Sequence, residues 1–215
     1  MGVEETARAL EVIGFGEIYL QSSKDKSSLL REHFSTFRDC DKCDLKNSRT
    51  QVVFGEGSPF SPVVFVGEAP GEEEDRQGRP FVGRAGRYLS AKIEEVLGFK
   101  REEVYITNVC KCRPPGNRKP AQEEVVACLP YLRRELEILK PKVVCCLGAT
   151  AGEALLGKKI PITKLRGKVF PYPYSPKIKV LLTYHPAYIL RNPSAESHFL
   201  EDLKKLRELL KLCIT

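Results

Sequence analysis

The chain alternates between short, wholly apolar runs and longer stretches in which apolar residues recur every three or four positions. The first run, Val63 to Val66, is β-branched, short and closed by glycine and proline, which predicts a buried strand. Val104 to Val109, Lys142 to Leu147 and Ile178 to Thr183 predict three more strands. Between them, Arg84 to Leu97 and Gln122 to Leu139 carry helical spacing. The second has a break or kink expected at Pro130 and is closed by Pro141. Gly148-Ala-Thr-Ala-Gly-Glu opens a short helix, and Ala195 to Leu212 reads as a closing amphipathic helix. Strands separated by helices predict an α/β fold, a parallel sheet with helices on both faces.

Residues 1–37 read as a helical extension ahead of a main domain over residues 38–215. Within the extension, Val3 to Ile13 is periodic, Gly14 to Gly16 interrupts it, and Ser27 to Phe37 is again helical. It carries no motif and reads as packing or partner surface. A length of 215 residues suits one such domain and its appendage. No apolar run reaches membrane-spanning length and the first residues lack a signal peptide's regions, so a cytoplasmic protein is expected. Met1-Gly2 with Thr6 fits a myristoylation pattern, but that pattern is short and Glu4 and Glu5 follow. The net charge of +7 suits a polyanionic partner. A composition rich in Lys, Arg and Glu with a single Met leans toward a thermophilic prokaryotic source.

Eight cysteines without a secretory signal point to thiols in a reduced compartment, where metal or cluster binding outweighs disulfides. Cys145, Cys146 and Cys213 read as structural, the first two inside an apolar run. Cys110, directly after a strand, can also be core. That leaves Cys40 and Cys43, two residues apart in Cys-Asp-Lys-Cys, with Cys112 and Cys128. Four thiolates without a nearby His suit either a zinc or an iron–sulfur cluster, and spacing does not choose between them. Between Cys112 and Cys128 lies a proline-stiffened loop with Arg113, Arg118 and Lys119, suited to phosphate contact.

The segment after the first strand, Gly67-Glu-Ala-Pro-Gly-Glu-Glu-Glu-Asp-Arg-Gln-Gly-Arg-Pro-Phe-Val-Gly83, joins glycines, four consecutive acids and Phe81. An acidic loop is commonly just solvated surface. Here it leaves the carboxyl end of a buried strand, where open α/β sheets place their ligand crevice. Asn108 and His185 also fall at strand ends, and in one parallel sheet all three features face one crevice. Phe81 can stack on a planar ring, Asn108 can pair with an amide-like edge, and His185 can donate to a developing negative charge. That is equipment for holding a base. A phosphate-cradling loop fits less well, since the segment has no Lys-Ser/Thr pair and its acids repel phosphate.

Over about residues 40–212 the chain resembles the family 4 uracil-DNA glycosylases of bacteria and archaea. The resemblance rests on Cys40-x-x-Cys43, Thr50-Gln-Val-Val-Phe-Gly-Glu-Gly57, the Gly67 to Gly83 segment, Thr107-Asn108, Lys111-Cys-Arg-Pro-Pro-Gly-Asn-Arg118, Cys128 and His185-Pro-Ala. It implies a three-layer α/β/α sandwich around a four-stranded parallel sheet, and a monofunctional enzyme that excises uracil from DNA. It further implies a [4Fe-4S] cluster on Cys40, Cys43, Cys112 and Cys128. Asn108 then looks like the reader of uracil N3 and O4, and Phe81 like the stacking platform. Gly67, Ala69 and Gly71 look like the pocket backbone, and His185 like the residue stabilising the departing uracil. The Tyr188 to Arg191 segment, with Leu190 and Arg191, resembles the loop that enters the duplex as the base flips out.

In the first family of these enzymes an Asp positions the attacking water; that slot here looks like Ala69, which leaves Glu68 and Glu74 as the catalytic candidates. Gly71 stands where the first family excludes thymine's methyl. The Lys164-Leu-Arg-Gly-Lys168 region lacks the His-bearing insertion of relatives that trap DNA, so turnover is expected. Expected partners are uracil-containing DNA, duplex and single-stranded, with a sliding clamp as a further candidate and a monomeric state. Two other classes compete: a zinc-stabilised nucleic-acid-binding module, and an iron–sulfur electron carrier. Neither gives Phe81, Asn108 and His185 a joint purpose. A polymerase reading fails on length and on the lack of a polymerase carboxylate arrangement.

Overall fold

The computed structural model describes residues 26–211. The expected helix from Val3 to Ile13, its Gly14 to Gly16 interruption, and Leu212 and Cys213 lie outside the described residues.

A helix over residues 26–35 (α1) leads through the Cys40 and Cys43 loop to a two-residue strand, Glu56–Gly57 (β1). Then follow Val63–Gly67 (β2), Glu72–Gln77 (α2), Arg84–Leu97 (α3), Tyr105–Asn108 (β3), Gln122–Leu139 (α4) and Val143–Leu147 (β4). Ala149–Leu156 (α5), Ile162–Leu165 (α6), Val169–Tyr172 (β5), Ser175–Thr183 (β6), Pro186–Arg191 (α7) and Glu196–Lys211 (α8) complete the order.

The sheet has six strands in the order β1-β3-β2-β4-β6-β5. Its four central strands, β3, β2, β4 and β6, are mutually parallel. The expected four-stranded parallel sheet is thus the centre of a wider one, extended by antiparallel edge strands β1 and β5. Neither edge is legible as a strand in the sequence. β1 is two residues long, and β5 contains Pro171, a residue that discourages a strand reading except at an edge.

Alternation along the strands builds two cores. Val64, Val66, Val144, Cys146, Val180 and Leu182 face α4, α5 and α1, meeting Leu132, Leu136, Leu155 and Leu30. Val63, Phe65, Val143, Cys145 and Leu181 face α3 and α8, meeting Leu89, Ile93, Phe199 and Leu203. Helices therefore cover both faces, the three-layer α/β/α arrangement. Burying both faces explains why the central strands are almost continuously apolar.

Two local expectations change. Glu72 to Asp75 do not form a loop but the first turn of α2. Acids there face the positive end of the helix macrodipole, so the cluster favours the helix it seems too charged to form. Pro130 does not break α4, which runs unbroken from Gln122 to Leu139. Pro130 and Val126, the residue whose carbonyl it cannot bond, are both exposed, so water can satisfy that carbonyl.

Candidate active site

The carboxyl ends of β2, β3, β4 and β6 converge on a cleft of about 590 Å³. Its walls include Glu68, Ala69, Gly71 and Glu74 from the segment after β2, with Phe81 and Asn108. Arg118, Lys119, His185 and Arg191 join them. Residues separated by more than one hundred positions meet because parallel strands deliver their ends to one edge.

Asn108, the last residue of β3, is 2% exposed, and its Oδ1 has no hydrogen-bond partner. An unpaired buried amide oxygen is costly and rare, and it marks a place built to receive a donor. Gly67, the last residue of β2, is paired beside Asn108 in the parallel ladder. A Cβ at Gly67 would overlap both Asn108 Oδ1 and the Phe81 ring. Only glycine lets those two side chains come together. Phe81 is 6% exposed and adopts a positive φ of 53°. For a residue with a bulky side chain that conformation costs on the order of 1–3 kcal/mol, and its surroundings must enforce it.

His185 caps the start of α7, and its Nδ1 accepts a hydrogen bond from Ala187 N–H at 3.1 Å. Burial, and then the positive charge of Arg191, push the imidazole down to about 4. The ring is therefore neutral at pH 7, and with Nδ1 accepting, the proton resides on Nε2. The Phe81 and His185 rings lie 5.7 Å apart at 33°. The site thus offers an aromatic face, an amide edge and a neutral imidazole donor.

The two acids behave differently. Glu68 Oε2 accepts from Thr150 Oγ1 at 2.5 Å, and both residues line the cleft. Glu74 is a bracket: Oε2 accepts from Gly71 N at 3.1 Å, and Oε1 from Val82 N at 2.9 Å and Gly83 N at 2.7 Å. Thr150 escapes a sequence reading because a Thr opening a helix suggests only local capping; the Gly148 turn before it, at a strand end, was the available signal.

The basic loop is less free than its charge suggests. Arg113 donates to Asn117 Oδ1 at 2.8 Å and pairs with Glu72 at 3.2 Å; Asn117 lines the cleft, whereas Arg113 itself does not. Arg118 grips the buried Glu124 carboxylate with both terminal nitrogens, at 2.8 and 2.7 Å. Lys119 is exposed at the cleft rim. Arg191 is exposed and Leu190 half-buried, both on α7 rather than on a loop.

The four candidate ligand cysteines gather on the α4 side of the sheet. Cys112 and Cys128 are core residues, and Cys40 and Cys43 pack against the same core. Arg49 donates to Cys112 Sγ at 3.3 Å, Lys111 N–H donates to Cys128 Sγ at 3.2 Å, and Cys40 Sγ lies 3.4 Å from Tyr131 Oη. The Cys43 thiol is raised by burial and by the charges of Cys128 and Cys40. Burial pushes Cys112 up to about 11 against the pull of Arg49. Among the described residues, no three Cys, His, Asp or Glu side chains close around a single metal ion. Cys110, buried, hydrogen-bonds to Cys128. Its backbone N–H reaches Glu68 O at 3.0 Å, tying the thiol segment to the cleft. Cys145 and Cys146 are buried in β4, as expected of structural thiols.

Comparison with known proteins shows the family. The Uracil DNA glycosylase superfamily profile matches residues 54–207. A Type-4 uracil-DNA glycosylase from Sulfurisphaera tokodaii is 49% identical over 175 residues, covering 79% of this chain and 80% of that protein. A protein of the same description from Thermotoga maritima is 49% identical over 177 residues, covering 81% of this chain and 91% of its own. One from Archaeoglobus fulgidus is 44% identical over 175 residues, covering 79% and 87%.

Proposed function

This chain belongs to the uracil DNA glycosylase superfamily and to its type-4 branch, and we propose that it hydrolyses the N-glycosidic bond of deoxyuridine in DNA, leaving free uracil and an abasic site. The observation that carries the reading is the unpaired, buried Oδ1 of Asn108. Uracil carries a hydrogen on N3 and an acceptor at O4, which match Oδ1 and Nδ2 of one amide. Cytosine reverses both: N3 accepts and the exocyclic amine donates. A site built to satisfy one pattern leaves buried groups unpaired with the other, a difference worth up to about 10⁴-fold.

A base inside a duplex cannot reach this cleft, so it is flipped out, at a cost of a few kcal/mol. Arg118, Lys119 and Arg191 at the rim hold phosphates, and the Leu190 tip of α7 fills the space the base leaves. Phe81 stacks on the base. As the bond breaks, positive charge develops on the sugar and negative charge on uracil. His185 Nε2–H donates to O2 where that charge appears, a contribution of about 10²–10³ in rate. Glu68, oriented by Thr150, directs the water toward the sugar. Glu74 has its oxygens occupied by backbone N–H groups, so we assign it to holding the segment.

Cys40, Cys43, Cys112 and Cys128 are the ligands we assign to a [4Fe-4S] cluster. An all-sulfur donor set with N–H groups aimed at two of the sulfurs suits a thiolate-held centre, and the resemblance to the family 4 glycosylases favours a cluster over one zinc. Bound there, the cluster would cross-link the Cys40 loop, the segment after β3 and α4; the hydrolysis requires no electron transfer. The archaeal and bacterial relatives fit a DNA-repair enzyme of a prokaryotic cytoplasm, and among the described residues no helix is long and apolar enough to cross a membrane.

The test is alkaline strand cleavage of end-labelled oligonucleotides carrying one uracil, thymine, cytosine or hypoxanthine. Uracil-dependent breaks support the reading. A folded protein that binds the DNA and never produces breaks overturns it.

A further inference from the structure

Phe81, a cleft residue with a bulky side chain, is held at a positive φ that such a side chain does not favour, and the structure shows what holds it. On its carboxyl side, the Glu74 carboxylate takes the N–H groups of Val82 and Gly83. On its other side, Arg101 donates from one terminal nitrogen to Phe81 O at 3.0 Å and from the other to Pro80 O. The guanidinium also reaches Ser90 Oγ at 3.3 Å on α3. It is half-enclosed, and burial lowers its pKa without bringing it near neutrality.

Arg101 lies in the turn before β3, does not itself line the cleft, and meets Phe81 through the main-chain carbonyl. Its fork spans two consecutive carbonyls, a geometry that a single ammonium cannot reproduce. The approach of α3 is equally close. A Cβ at Gly86 would overlap the Phe81 carbonyl group, so α3 presents bare backbone to the same turn.

We propose that Arg101 is a positioning residue for base excision. Its guanidinium fixes the Pro80–Phe81 carbonyls so that the Phe81 ring lies at the angle the flipped base requires. The proposal rests on the reading of Phe81 as the stacking platform. It goes beyond that reading by naming a residue, remote from the substrate, that sets the platform's geometry. Without the fork, Phe81 relaxes toward an ordinary negative φ and the ring leaves its place beside Asn108.

The test is a double-mutant cycle on single-turnover uracil excision with Arg101→Ala, Arg101→Lys, Phe81→Ala and the Arg101→Ala/Phe81→Ala pair, with DNA affinity and Tm measured alongside. Misplacing a substrate-contacting group costs up to about 10²-fold in rate. Arg101→Ala is expected to lose between about 10- and 100-fold in the chemical step, with DNA affinity changed less than about threefold. Arg101→Lys is expected to recover only part of the rate. In the Phe81→Ala background, removing Arg101 is expected to cost little more, because both changes remove the same platform. Millimolar guanidinium is expected to restore part of the rate to Arg101→Ala and none to the pair. If Phe81→Ala is active, the stacking reading fails and takes the proposal with it. If Phe81→Ala is impaired but the two losses multiply, or Arg101→Ala keeps full rate, the stacking reading stands and the Arg101 proposal is wrong.

Discussion

The backbone N–H of Ala187 donates to Nδ1 of His185 at 3.1 Å, and this one contact decides which nitrogen of the ring can act. With Nδ1 occupied as an acceptor, a neutral imidazole must carry its proton on Nε2. Burial and the Arg191 charge hold the group near 4, so the neutral form prevails at physiological pH. In the proposed role the donor offered to uracil is thus uncharged, and its contribution would come from placement before the charge develops.

From this follows a titration. Nitrogen-15 NMR should show His185 neutral at pH 7, protonated on Nε2, with an inflection near 4. Arg191→Ala should move the inflection upward. The unfolded chain binds a proton near 6.5 that the fold refuses until about 4. This group's stability contribution is therefore complete above 6.5 and is lost as pH falls through that window. His185→Ala should reduce the chemical step by about 10²–10³ while leaving Tm at pH 7 nearly unchanged. An inflection at or above 6.5 would contradict the assignment.

The thiol centre predicts colour and stoichiometry. Protein purified without oxygen should be brown and hold about four iron and four sulfide per chain. Cys128→Ser and Cys112→Ser should bleach it and lower Tm, since α4 and the segment after β3 would lose their common tie. A colourless protein with one zinc would replace the cluster with a mononuclear site.

A buried ion pair offers a separate test of stability. Lys111, 1% exposed, places Nζ 2.6 Å from Glu135 Oε2 and 2.5 Å from Thr107 Oγ1. It joins the segment after β3 to α4, in sequence between Asn108 and Cys112. Glu135→Ala alone should cost about 3–5 kcal/mol in denaturant unfolding, because it strands a buried ammonium. Removing both charges with Lys111→Met and Glu135→Leu should cost far less. Equal losses in the single and double variants would show the pair is not acting as a unit.

Much of this is legible in the sequence. β2 and β4 are buried on both faces and read as unbroken apolar runs, while β3 ends in Thr107 and Asn108 and β6 carries Lys177 and Lys179. The bounds expected for α3 and α4 hold to the residue. Asn108 and His185 could be joined with the segment carrying Phe81 because all three lie at or beyond a strand's carboxyl end, and parallel strands bring such positions to one crevice. What escaped did so for physical reasons. Pro171 disguises β5, which tolerates it only as an edge strand. Glu72 to Asp75 look like solvated loop until the helix dipole is counted. Arg101 sits in Lys-Arg-Glu-Glu, a run indistinguishable from exposed surface, and Lys111 belongs to a residue type seldom buried. Their partners lie far away in sequence, and only the fold supplies them.

The central claim is that the Asn108 amide reads uracil, and its most direct test compares single-turnover excision of uracil and cytosine by the wild type and Asn108→Ala. The wild type should cleave uracil and leave cytosine untouched. Asn108→Ala should lose uracil excision by at least about 10²-fold, so that its preference for uracil over cytosine collapses, with Tm and DNA affinity little changed. An Asn108→Ala variant that excises uracil at the wild-type rate and still refuses cytosine would contradict the account.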